Sequence, residues 1–177
     1  IIGRLVGSEM CIRDSSPSDT LETVKAVFAA AKSKNSTYIR LTGDNNSQQI
    51  NFDDYDFQIG KAKQIIKGEK IAILATGTSV GESKKAAEKL NEIGISCSVY
   101  NFHSVKPIDR EYLEKIAIEY ELIFTVEEHN IIGGLGSAVS EVLVQKKIKP
   151  LQFFLGIPDT YKNTGSYLEI LEKSGIS

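Results

Sequence analysis

From residue 70 onward, hydrophobic and polar positions follow two rhythms in turn. Short apolar runs, "KIAILA" (70–75), "ISCSVYNF" (95–102), "ELIFTVE" (121–127) and "PLQFFLG" (150–156), predict strands buried on both faces. Between and after them, "SVGESKKAAEKLNEIG", "DREYLEKIAIEY", "GLGSAVSEVLVQKK" and "GSYLEILEKSG" carry apolar residues at helical spacing. Strand and helix in alternation predict an α/β fold in three layers, a mostly parallel sheet with helices on both faces. About 110 residues suffice for such a unit. Ahead of it, "QIGKAKQIIKGEK" predicts a short hairpin or a bulged strand leading into the run at 70–75.

The first part of the chain has a different texture. "SPSDTLETVKAVFAAAKSKNSTYIRLTG" predicts a helix over 19–33, with Asp19 as N-cap and Glu22 at capping-box spacing, and then a strand over 37–42. One helix and one strand cannot bury both their faces, so this piece is expected to be the remnant of a second α/β domain, with Val24, Val27, Phe28, Tyr38, Ile39 and Leu41 left exposed. Residues 43–57 are polar and acidic without period and predict an inter-domain connector. The expected organisation is therefore a remnant at 16–43, a connector at 44–66 and a C-terminal domain at 67–177. Residues 1–15, "IIGRLVGSEMCIRDS", have neither period nor turn logic, and "VGSEMCIRDS" resembles the translation of a sequencing-library adapter. They are expected to be non-native and to pack on nothing, with native sequence missing upstream. The alternative is an ordinary N-terminal strand built on Ile1, Ile2, Leu5 and Val6.

The 177 residues carry a formal charge of −2, are 41% hydrophobic and hold two cysteines. These values exclude disordered and fibrous classes, a disulfide framework and a metal cluster of cysteines, and give no electrostatic reason for a nucleic-acid or membrane partner. A cytoplasmic location is expected. Two glycine-bearing turns invite a phosphate reading. In "GGLGSAV", Val139 stands where the dinucleotide fingerprint needs Gly or Ala. In "GTSVGES", three residues separate the glycines where a P-loop needs four, and Glu82 stands in place of the Lys. Neither turn is expected to hold a phosphate: Ser79 is expected to cap a helix, Gly77 to permit a tight turn, and the glycines of the second loop to let a helix start approach neighbouring backbone.

The ordered set "PSDTLET", "YIRLTG", "DFQIGKA", "ILATGTSV", "HSVKPID", "VEEHNIIGGLGSAV" and "GIPDTY" resembles the C-terminal part of the transketolase family: the end of the pyrimidine-binding domain, a connector and the C-terminal domain. The resemblance implies a thiamine-diphosphate- and Mg²⁺-dependent enzyme that transfers a two-carbon ketol unit between sugar phosphates. It places the cofactor and metal sites, and every catalytic residue, upstream of Ser16. It implies a homodimer, or a heteromer with an N-terminal transketolase subunit, to which the C-terminal domain contributes contact. The fragment alone is expected to be inactive. Deoxyxylulose-phosphate synthase and the β subunit of a 2-oxoacid dehydrogenase share the domain and stand as alternatives, with a non-catalytic Rossmann-like binding or assembly module as an alternative of another class. One site residue carries over: Arg40 in "YIRL" matches the position from which the family reaches a substrate phosphate, and a guanidinium fork suits phosphate oxygens. The alternative for Arg40 is a local ion pair with an Asp. His129 is expected to orient the glycine loop, His103 to end a strand, and Lys106 and Pro107 to shape the turn before a cap at Asp109.

Overall fold

The computed structural model describes residues 12–42, 50, 55–147, 150–161 and 164–176. Residues 1–11 and part of the expected connector, 44–49 and 51–54, lie outside the described residues. Strands β1 (Arg13–Ser15) and β2 (Thr37–Ile39) flank helix α1 (Thr20–Lys32) and pair in parallel, Arg13 opposite Thr37 and Ser15 opposite Ile39. The rest of the chain runs β3 (Lys63–Ile66), β4 (Ile71–Ala75), α2 (Ser79–Glu92), β5 (Cys97–Asn101), α3 (Arg110–Glu119), β6 (Leu122–Asn130), α4 (Leu135–Leu143), β7 (Leu151–Ile157) and α5 (Tyr167–Ser174).

The larger sheet has the order β3-β5-β4-β6-β7, with only β3 antiparallel to its neighbour. Period-two alternation sorts its side chains. Ala72 and Leu74 face Leu113, Ile116, Leu135 and Val139 of α3 and α4, whereas Ile73 and Val99 face Ala87 and Leu90 of α2. Leu74, Leu113, Ile123, Leu135 and Val139 are fully buried, and burying an aliphatic side chain of this size stabilises by about 1.5–3 kcal/mol. The three-layer α/β architecture is thus the one the alternation predicts.

Several details differ from expectation. The last three residues of the segment set aside on sequence grounds complete a β1-α1-β2 unit, and the Asp14 carboxylate accepts from the amides of Val105 and Lys106 at 2.7 and 2.8 Å. β3 falls inside the span read as connector. It carries the expected irregularity between Gln64 and Ile66, but it pairs with β5 and forms no hairpin with β4. β7 is an edge strand and is not buried on both faces: Leu151, Phe153, Phe154 and Leu155 are exposed. The exposed apolar residues of the first unit agree with the prediction for Val24, Val27, Phe28, Tyr38 and Leu41, while Ile39 is half-buried.

At the start of α1, the Asp19 carboxylate accepts from Glu22 N at 2.7 Å, as a cap should. Glu22 does not close the reciprocal box. Its carboxylate reaches one residue further, to Ser18 N at 2.6 Å, and is fully buried, taking further bonds from the Tyr55 hydroxyl and from Asn101 Nδ2 at 2.8 Å. Asp19 also accepts from Ile50 N at 2.9 Å. Two carboxylates therefore tie α1 to the connector and to the end of β5. Tyr55 has its hydroxyl pushed well above the ordinary range by burial and then by the Glu22 charge, so it serves as a donor.

Candidate functional site: a crevice at the strand ends

The sheet order dictates where a crevice forms. β5 lies on one side of β4 and β6 on the other, so right-handed crossovers place α2 on one face and α4 on the opposite face. The turns leaving β4 and β6 diverge, and a hollow opens beyond the C-terminal ends of these two strands. Two cavities occupy it. One, about 320 Å³, is lined by Ser16, Arg40, Thr78, Glu128 and Tyr167. The other, about 180 Å³, is lined by Asp14, Arg40, Thr76, His129 and Gly134. Arg40 borders both.

Arg40 follows β2 directly, and its backbone is fixed by its amide donating to Ser15 O at 2.8 Å. Its guanidinium is exposed and donates from Nη2 to the Glu128 carbonyl at 2.8 Å. Its partner among the described residues is thus a main-chain oxygen, while Asp44, Asp53 and Asp54 of the nearby sequence lie outside the described residues. A carbonyl takes one donor of a five-donor fork.

Two adjacent acids at the end of β6 have opposite assignments, because successive side chains on a strand point to opposite faces. Glu127 is buried, and its two carboxylate oxygens accept from Leu135 N at 2.7 Å and Gly136 N at 2.9 Å. It fills the amide cluster at the start of α4, where a phosphate would otherwise be favoured. A Cβ on Gly134 would stand 1.8 Å from Glu127 Oε2, and one on Gly136 would stand 2.3 Å from Phe154 Cδ1. The glycines therefore make room for a carboxylate and an aromatic ring, and not for neighbouring backbone as the sequence suggested. Glu128 turns the other way and accepts from the hydroxyls of Thr78 and Tyr167. Burial, and then the bond to Glu128, push Tyr167 up to about 12, which keeps it protonated as a donor.

The β4 turn has a separate construction. Gly77 has φ 60°, the left-handed conformation expected of a tight turn, and its amide donates to Ser16 O at 3.1 Å. Ser79 is not the cap of α2. The cap position is Thr78, whose hydroxyl is committed to Glu128, so no side chain caps that helix.

The two histidines part company. His129 is exposed at the rim, its Nδ1 2.9 Å from the neighbouring Asn130 carbonyl. It does not orient the glycine loop. Asn130 does, through Ile132 N at 2.8 Å and Asp159 at 2.9 Å. His103 lies beyond the end of β5, buried, stacked on Phe57 at 4.1 Å and 3.1 Å from Ser104 Oγ. Burial holds its pKa below the ordinary imidazole value, against the opposing pull of Glu22. Asp109 caps α3 as expected, accepting from Tyr112 N at 3.2 Å and from Ala62 N at 3.1 Å. Sequence reasoning missed Glu127, Glu128 and Tyr167. The available signal was a pair of acids ending an apolar strand directly before a glycine-opened helix.

Fold and crevice define a C-terminal α/β domain of the doubly wound kind, closed against a βαβ unit that precedes it. The profile of the family described as "Transketolase, C-terminal domain" matches residues 60–177. The chain is 35% identical over 161 residues to a Methanocaldococcus jannaschii protein named as a transketolase C-terminal section, covering 90% of this chain and 50% of that one. It is 32% identical over 161 residues to 1-deoxy-D-xylulose-5-phosphate synthase of Vibrio vulnificus, covering 90% of this chain and 25% of the synthase. Among solved structures, a split-gene transketolase described as an inactive tetramer of β chains superposes with a TM-score of 0.83 at 31% identity, covering 94% of this chain and 53% of that one. The chain belongs to the transketolase family and carries its C-terminal domain. It spans about half the length of the first relative and a quarter of the synthase. Among the described residues, no helix is long and apolar enough to cross a membrane.

Proposed function

We propose that this chain is the C-terminal portion of a transketolase-like, thiamine-diphosphate-dependent enzyme that moves a two-carbon ketol unit between sugar phosphates, and that Arg40 receives a substrate phosphate in the crevice. The observation that carries the reading is the placement of Arg40: an exposed guanidinium that lines both cavities, with Nη2 donating to the Glu128 carbonyl. Phosphate needs a planar set of donors, and Arg supplies it. The chain's own acids work elsewhere, since Glu127 is bound to amides and Glu128 to hydroxyls.

The described residues do not suit the cofactor. The glycine-loop amides that could take a diphosphate are held by Glu127, and no His, Cys, Asp and Glu grouping suited to a metal ion occurs among the described residues. We assign thiamine diphosphate and Mg²⁺ to the portion of the longer relatives that this chain does not span, and no reaction step is derived through them. The split-gene relative, a tetramer of β chains, supports assembly with further copies; we propose an N-terminal subunit as the other partner, and a cytoplasmic location for the enzyme. The synthase reaction is a second reading, favoured by the similarity to the Vibrio protein; it also handles a sugar phosphate and would use the same arginine.

The test replaces Arg40 in the complete enzyme. Arg40→Ala should raise KM for phosphorylated donors about ten- to a hundredfold, the scale of a lost charged hydrogen bond, while leaving erythrulose nearly unaffected. Arg40→Lys should recover only part of the loss. Equal losses on both substrates would make Arg40 structural.

A further inference from the structure

The geometry points to β7 as a self-association edge: we propose that two copies of this chain join through antiparallel pairing of Leu151–Ile157 with itself, centred on Phe154. This inference does not rest on the proposed enzymatic reading.

Among the described residues β7 pairs with β6 alone, and no strand of these residues covers its outer side. Soluble proteins usually blunt such an edge with charge, proline or a cover. Here "LQFFLGI" holds no charged residue and no proline, and Leu151, Phe153, Phe154 and Leu155 are 59, 43, 41 and 43% exposed.

The edge is also self-complementary. Leu151 N donates to Glu121 O, on the β6 side. Backbone direction alternates along a strand, so Leu151, Phe153 and Leu155 bond inward to β6. Gln152, Phe154 and Gly156 then present their amides and carbonyls outward. A two-fold axis at Phe154 sets Phe154 opposite its counterpart and Gln152 opposite Gly156 of the second copy. All three outward residues then fall in hydrogen-bonded pairs, leaving none orphaned. The same register sets Phe153 beside Leu155, and Leu151 beside Ile157, as close cross-strand apolar pairs.

The face that would become continuous is itself apolar. Phe153 stacks on Phe124 at 5.1 Å, and an open cleft of about 500 Å³ beside it is floored by Ile73, Phe124, Val126 and Leu155. Pairing would carry this surface across the axis without placing any charge in the seam, and a two-fold interface of this kind closes on itself as a dimer.

Sedimentation of the 177-residue chain over a concentration series, with cross-linking, tests the proposal. The chain should dimerise at tens of micromolar, and Leu155→Lys, which buries an ammonium on each side of the seam, should weaken the dimer by about tenfold or more. Phe154→Cys should form a dimer-linking disulfide on mild oxidation, because a hydrogen-bonded antiparallel pair holds Cα atoms about 5.5 Å apart, within disulfide range. Gln152→Cys should not link to itself, and the unsubstituted chain supplies the background from its own cysteines. A chain that stays monomeric throughout the series overturns the proposal. So does a folded Leu155→Lys variant that dimerises unchanged, or a wild-type dimer whose Phe154→Cys form links no faster than background. If Leu155→Lys fails to fold, the position-specific cross-link decides alone.

Discussion

The two turns that leave β4 and β6 sit side by side, each carries glycine, and each opens a helix, yet they solve the helix start in opposite ways. At β6 the chain supplies its own anion: Glu127 bonds the first amides of α4, and Gly134 and Gly136 exist to let that carboxylate and Phe154 in. At β4 no side chain caps α2, because the Thr78 hydroxyl goes to Glu128, and the turn is held from outside by Ser16 O. A glycine pattern therefore reports close approach without saying what approaches. The β6 turn is a closed, self-sufficient unit, whereas the β4 turn depends on the preceding βαβ unit for its shape.

That contrast breaks most sharply at Gly134. An added methyl would stand 1.8 Å from a carboxylate oxygen that is pinned on both sides, so neither partner can yield cheaply. Gly134→Ala should cost about 3 kcal/mol, the upper end of ordinary overpacking penalties, measured by denaturant titration. A loss below about 1 kcal/mol would mean that the carboxylate swings out freely. Glu127→Gln comes next. It keeps the shape but replaces one accepting oxygen by a donor facing an amide, so a charged hydrogen bond is lost and a buried amide is orphaned, for about 2 kcal/mol. Added phosphate should not rescue it if the space is filled by the glutamine itself.

Gly77→Ala should be milder. The new methyl would meet the movable Ser16 hydroxyl at 2.9 Å, and the left-handed conformation costs about 1 kcal/mol for an alanine. If Gly77→Ala proves as damaging as Gly134→Ala, the β4 turn is as closed as the β6 turn and the comparison fails.

What the sequence disclosed, and what it hid, follows the same division. β4, β5 and β6 were legible because a strand covered on both sides must be apolar throughout, and α2 to α5 because each carries an apolar stripe at helical spacing; α1 shows the same spacing although its Val24, Val27 and Phe28 stay exposed. The partner of β3 was not legible, since a four-residue strand carries no mark of which edge it joins. The exposure of β7 was hidden because "LQFFLG" reads as a core strand whether or not a layer covers it. Of the site, Arg40 was reached only through family resemblance. Glu22 was read as a local capping residue, and its wider role depends on Tyr55 and Asn101, brought in from 33 and 79 positions away. Glu127 and Glu128 carried no assignment, because alternation on a strand fixes opposite faces without naming the neighbours each face will meet.

The smallest expected effect concerns what supports the β4 turn from behind. Ser16 O holds the Gly77 amide, and Ser16 N in turn donates to the main-chain carbonyl of His103 at 2.6 Å, so the open turn leans on the backbone that carries a buried imidazole. Burial depresses the folded pKa of His103, whereas the unfolded chain should titrate near the ordinary value of about 6.5. Between the two values the unfolded state binds more protons, so stability rises with pH across that window. The contribution of a neutral His103 is therefore fully present above about pH 6.5 and is lost as pH falls toward the folded pKa, with a slope of at most about 1.4 kcal/mol per pH unit. Melting curves from pH 8 to pH 5 should be flat at first and then decline, and His103→Gln should flatten the acid limb even if it lowers stability throughout. Hydrogen exchange should show residues 76–78 opening with acid before residues 134–136, whose amides are held by Glu127 without a histidine. Simultaneous opening of both turns would show that the β6 turn, too, leans on the preceding unit.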